Sequence, residues 1–179
     1  MLVQHPFVLL LDRYQRKAHY FIAKIWASLS VTPFLRIKFE GLDNLPSPDT
    51  PAVYVSNHQS FLDIYTLLTL GKPLGLKQDW DILFPIIGWA MFMMGVIPLK
   101  RMDSRSQLKG AFSVAAKTRV PIVPITLIGT GKIMPPGMEG ILNFGSVRIV
   151  IHKPVEGSDP EVLCSEVRNT IADVLEQQS

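Results

Sequence analysis

A chain of 179 residues with 47% hydrophobic and 18% charged residues is large enough to bury a core as a single domain. Its mean hydropathy of +0.24, net charge of +3 and pI near 9.1 suit phosphate esters, coenzyme A, acidic carrier proteins or an anionic bilayer. So small a positive excess, with no basic run interleaved with aromatics, argues against nucleic acid.

Residues 7–11 form a short apolar run without a basic start, and the Ser and Arg richness of a transit peptide is absent, so neither a secretory signal nor a transit peptide is read here. Over 12–29 the spacing predicts an amphipathic helix, with Tyr14, Ala18, Phe21, Ile22, Ile25, Trp26 and Leu29 at helical intervals and Arg13, Arg16, Lys17 and Lys24 among the rest. Such a face suits a bilayer surface or an ordinary packed helix, because periodicity does not separate lipid from core. This segment, residues 1–35, is set apart from an α/β domain over 36–179.

A short strand is predicted over 36–40, ending at Gly41, and a proline-rich loop leads to a second strand over 52–55 and a helix over 61–70. Residues 82–99 carry no charge and are long enough to span a membrane, but Pro85, Gly88, Gly95 and Pro98 divide them. A helix over 85–94 and a buried strand over 96–99, closed by Arg101, fit better. Beyond this a helix over 106–117, strands over 122–128 and 147–151, and a helix over 159–177 with Pro160 in its first turn complete the alternation of an α/β domain. Cys164, the one cysteine, excludes an intramolecular disulfide and a cysteine-rich metal site, and its place in the last helix assigns it to packing. The four histidines are scattered and mark no metal cluster. Gly129-Thr-Gly-Lys132 lacks the leading glycine and the trailing Ser or Thr of a phosphate loop.

His58 and Asp63 are the candidate catalytic pair. The imidazole leaves the strand over 52–55 and a carboxylate follows five positions later, across the turn into a helix. Five residues advance a regular helix by about 500°, so a turn has to fold His58 back if the two are to meet. With Ser60 as N-cap, Asp63 falls at the third helical position and can accept from one ring nitrogen, leaving the other free to take a proton from a hydroxyl. The same residues also read as a plain capping box, Ser60-x-x-Asp63, with His58 a polar loop residue. Spacing leaves both open.

With Asn57-His58-Gln-Ser-Phe-Leu-Asp63, Gly95-Val-Ile-Pro-Leu-Lys-Arg101 and Val120-Pro-Ile-Val-Pro-Ile125 in this order, the chain resembles the glycerolipid acyltransferases. Phe84-Pro-Ile-Ile-Gly-Trp-Ala-Met91 and Gly129-Thr-Gly-Lys-Ile-Met-Pro-Pro136 make it similar to the plant plastid 1-acylglycerol-3-phosphate acyltransferases, through most of its length. The resemblance implies an α/β fold with a mixed sheet flanked by helices. It also implies transfer of a fatty acyl group from an acyl carrier protein or coenzyme A thioester to the sn-2 hydroxyl of lysophosphatidic acid, at a plastid membrane surface and without a bound cofactor. Under it His58 is the base, Asp63 holds His58, Arg101 with Lys100 binds the acceptor phosphate, and Asn57 is counted with the substrate-binding residues. A thioester is already activated, so a positioned base suffices and no covalent enzyme intermediate is required.

One family feature is absent. The helix, strand and Glu-Gly-Thr-Arg signature expected between Arg101 and Val120 have no counterpart, and after Leu108 the sequence resumes at Lys109-Gly-Ala-Phe-Ser. One helix–strand unit is therefore expected to be missing. The alternative expectation is a catalytically impaired variant that acts only through membrane or partner contacts.

Overall fold

A computed structural model describes residues 17–47, 50–70, 104–138 and 140–177. The expected helix over 85–94, the strand over 96–99, Lys100 and Arg101 lie outside the described residues, as does the start of the helix expected over 12–29.

In chain order the described elements are α1 (Lys17–Val31), β1 (Leu35–Glu40), β2 (Val53–Ser56), α2 (Leu62–Leu68), α3 (Ser104–Thr118), β3 (Ile122–Ile128), α4 (Thr130–Ile133), β4 (Gly145–Ile151) and α5 (Pro160–Glu176). Each expected element within these residues forms, with ends shifted by no more than two positions and the strand over 122–128 unshifted. The four strands make one mixed sheet in the order β1-β4-β3-β2. β2 runs parallel to β3, with Val53 opposite Ile122, while β3 and β4 are antiparallel and β4 and β1 parallel.

β3 is apolar at every position save Thr126 because helices cover both its faces. On one face Val123, Ile125 and Leu127 pack with Val147, Ile149 and Ile151 of β4, Leu62 and Leu67 of α2, and Val31 at the end of α1. On the other, Ile122 meets Phe112, Ala115 and Ala116 of α3 and Leu163, Val167 and Ile171 of α5, with Cys164 packed at the margin of this cluster. β1 and β4 alternate instead, and their second face carries Arg36, Lys38, Glu40 and Arg148, with Lys38 Nζ 3.0 Å from Glu40 Oε1. Pairing of β3 with β4 stops next to Pro124, which accepts from the His152 N–H at 3.0 Å and has no N–H to return.

Two helix ends have local causes. α5 begins at Asp159, whose carboxylate accepts from the Glu161 and Val162 N–H groups ahead of Pro160 at the first helical position. α3 ends with Arg119 at φ 54°, a left-handed residue where glycine is the usual choice.

α1 docks through its small side. Ala27 and Val31 are buried, whereas Phe21, Ile25 and Leu29 at four-residue intervals, with Trp26 beside them, are 45–72% exposed. Phe21, Ile25 and Leu29 thus point away from the domain, while the half-exposed Trp26 sets its ring 5.3 Å from that of Tyr65 in α2. Among the described residues no helix is long and apolar enough to cross a membrane.

His152, just past β4, shares a 2.8 Å hydrogen bond between its Nε2 and Oγ1 of the wholly buried Thr126. Burial holds its pKa below the ordinary 6.5. The unfolded chain therefore binds this proton more readily than the folded one, so the associated stability is complete above about pH 6.5 and is lost as pH falls through the folded-state value. Urea unfolding across pH 5 to 8 is expected to show this decline below about pH 6.5, and His152→Gln is expected to flatten it.

Candidate active site

β2 ends at Ser56, and the next residue continues the sheet with its side chain. Asn57 Nδ2 donates to Leu127 O at 2.9 Å and Oδ1 accepts from Leu127 N at 2.7 Å, so the amide takes the place of one more peptide unit beside β3. The backbone is thereby free to turn while the residue stays tied to the sheet. Asn57, counted on sequence with the substrate-binding residues, turns its amide to Leu127 rather than holding it open to a ligand.

The turn closes around Asp63. Its Oδ2 accepts from His58 Nδ1 at 2.8 Å, from the Gln59 N–H at 2.6 Å and from the Ser60 N–H at 2.9 Å. The regular helix starts at Leu62, one residue later than an N-cap at Ser60 requires, yet the Ser60 hydroxyl still accepts from Leu62 N at 3.3 Å. The two readings of the spacing therefore describe one carboxylate: it reaches back to the Ser60 N–H as in a capping box and holds the imidazole with the same oxygen.

Burial divides the pair. The Asp63 side chain is 5% exposed and that of His58 is 69% exposed, so the carboxylate lies inside the fold and the ring stands at its surface. With Asp63 as acceptor, Nδ1 carries the hydrogen and Nε2 keeps its lone pair toward solvent. Such a ring can take a proton from a hydroxyl, and the carboxylate beside Nδ1 then stabilises the imidazolium.

Behind the turn, the Ser60 hydroxyl is buried and donates to Met134 O at 2.7 Å, and Thr130 Oγ1 lies 3.4 Å from Gln59 Oε1. α4 and the residues after it thus brace the loop from the far side. The sequence reading missed this support, although a Gly-Thr-Gly run directly after a buried strand was a usable signal for a tight turn at the same end of the sheet. Gly129 has φ 98°, and a Cβ there would lie 2.7 Å from Ser146 O, so the turn into α4 needs glycine.

These features define an α/β protein with a histidine–carboxylate pair at the carboxyl end of a strand. A family model described as Acyltransferase matches residues 36–109. The chain is 56% identical over 211 aligned positions to a chloroplastic 1-acyl-sn-glycerol-3-phosphate acyltransferase of Arabidopsis thaliana, covering 98% of this chain and 59% of that protein. It is 41% identical to a 1-acyl-sn-glycerol-3-phosphate acyltransferase of Chlamydomonas reinhardtii, covering 98% of this chain and 64% of that one. The crystal structure of the 1-acyl-sn-glycerophosphate acyltransferase from Thermotoga maritima superposes with a TM-score of 0.76 at 21% identity, over 97% of this chain and 86% of the other. That likeness establishes the fold.

The chain is similar to the chloroplastic 1-acyl-sn-glycerol-3-phosphate acyltransferases. It spans about three fifths of the length of these plant and algal relatives. The 211 positions aligned with the Arabidopsis protein outnumber the 179 residues present, so at least 32 of them face gaps in this chain. The family match itself stops at residue 109.

Asp63→Asn keeps the shape of the turn but removes the charge that stabilises an imidazolium. A fall of about 10²- to 10⁴-fold is expected in any turnover that uses His58 as its base, with the circular dichroism spectrum unchanged. Turnover equal to the parent chain would remove Asp63 from the chemistry.

Proposed function

We propose that this chain transfers a fatty acyl group from a thioester, carried by acyl carrier protein or coenzyme A, to the sn-2 hydroxyl of 1-acylglycerol-3-phosphate. The observation that carries this reading is the 2.8 Å contact between His58 Nδ1 and a buried Asp63 oxygen beneath an exposed ring. A glycerol hydroxyl is a poor nucleophile at neutral pH and needs a positioned base. His58 Nε2 takes the hydroxyl proton as the oxygen attacks the thioester carbonyl carbon. Collapse of the tetrahedral adduct breaks the carbon–sulfur bond, and the departing thiolate receives the proton back from Nε2. The products are phosphatidic acid and free thiol.

Membrane-surface contact belongs to the same reading. Both the acceptor and the product are lipids, and the outward stripe of Phe21, Ile25 and Leu29 is a large apolar surface to leave in water. Similarity to chloroplastic relatives supports a plastid setting. Lys100 and Arg101 remain assigned to the acceptor phosphate by family resemblance.

A second reading is favoured by the alignment gap of at least 32 positions. We place the loss between Leu108 and Lys109, where the family's Glu-Gly-Thr-Arg unit is expected. In this reading the base survives and acceptor binding is weakened, leaving membrane or partner contact as the principal activity.

His58→Ala is expected to lower thiol release from acyl thioester in the presence of lysophosphatidic acid by about 10²- to 10⁴-fold; undiminished release would reject the base. Restoring the family's unit between Leu108 and Lys109 is expected to lower the KM for lysophosphatidic acid. An unchanged KM would show that the cations already in this chain suffice.

A further inference from the structure

The segment Gly129-Thr-Gly-Lys132 is not a phosphate loop by pattern, yet it stands against the residue that follows the base. Gly131 lies so close to Gln59 that a Cβ there would meet Gln59 O at 3.3 Å and Gln59 Cβ at 3.6 Å. Thr130, wholly buried, adds its hydroxyl contact to the Gln59 side chain. The turn is closed by the Lys132 N–H donating to Gly129 O at 3.2 Å, and the next residue, Ile133, is buried in the main core. Lys132 is therefore fixed by its backbone on both sides, while its side chain is exposed.

Across residues 57–62 and 129–134, the two stretches that meet at this end of the sheet, Lys132 is the one side chain with a permanent positive charge. Among the described residues no ion pair is formed by it. An ammonium on a tight turn that packs against Gln59, the neighbour of His58 in the chain, and uncommitted to a carboxylate is suited to hold a phosphate as a point charge.

We infer that Lys132 binds the phosphate of the acceptor lipid at the rim beside His58. The inference rests on the acceptor class proposed above and adds a residue to that site. Two glycines serve this placement: Gly129 by its left-handed backbone and Gly131 by its approach to Gln59. With the family's Glu-Gly-Thr-Arg unit gone from this chain, Lys132 carries a larger share of phosphate recognition than a full-length relative would require of it.

The test is direct binding by the whole chain in neutral detergent micelles, with 1-acylglycerol-3-phosphate and, separately, uncharged monoacylglycerol as probes. Lys132→Gln is expected to weaken 1-acylglycerol-3-phosphate binding about tenfold and to reduce its dependence on salt, with monoacylglycerol affinity unmoved. Lys132→Arg is expected to retain the parent affinity, which separates lost charge from lost packing. Equal affinity of parent and Lys132→Gln for 1-acylglycerol-3-phosphate overturns the inference, as does parallel weakening toward both lipids or the absence of binding by the parent chain. Because binding is read without turnover, a chain that binds through Lys132 and transfers nothing would sink the catalytic reading and leave this one standing.

Discussion

One oxygen, Oδ2 of Asp63, receives the imidazole N–H and two successive backbone N–H groups, and the geometry of this end of the sheet depends on that convergence. Backbone donors buried in a turn need acceptors, and a carboxylate that supplies two of them is held in place by the folding of the turn itself. The imidazole is then oriented by a group whose position is already determined by local backbone structure. Folding α2 and orienting the imidazole are one event, which is why the pair can be half inside the protein and half at its surface without losing definition.

Support for the turn comes from three directions that have little to do with one another in sequence. Asn57 ties it to β3, Ser60 ties it to Met134 beyond α4, and Leu62 and Leu67 anchor the following helix in the main core. Long-range contacts of this kind give the loop the rigidity of the sheet. They also explain how the site's local geometry coexists with at least 32 aligned positions unmatched in this chain: β2 and β3 are hydrogen-bonded neighbours, and every partner of the turn named here lies in β3, α2 or the α4 region.

The regular elements were readable because their causes are local. β3 announced itself as an apolar run, broken only by Thr126, between Pro121 and Gly129, and α5 through Asp159 and Pro160 at its start. The His58 and Asp63 spacing could be read two ways, and sequence could not decide because each reading assigns the same carboxylate a plausible acceptor role. Coordinates were needed to find one oxygen performing both. The tie of Asn57 to the sheet was hidden for a related cause: a side chain that replaces a peptide unit depends on the strand alongside it, seventy positions away, and no local pattern reports that. The outward orientation of α1 was equally hidden, since helical periodicity reveals which residues share a face but not which face meets the domain.

The amide of Asn57 has a consequence for motion. By splicing a side chain into the last rung of the β2–β3 ladder, it moves the boundary between sheet and loop to the residue immediately before His58. Any excursion of the ring's backbone must then break a pair of ladder-like bonds, so fluctuations at this position follow the slow opening of a β-sheet rather than the nanosecond wandering of a surface loop.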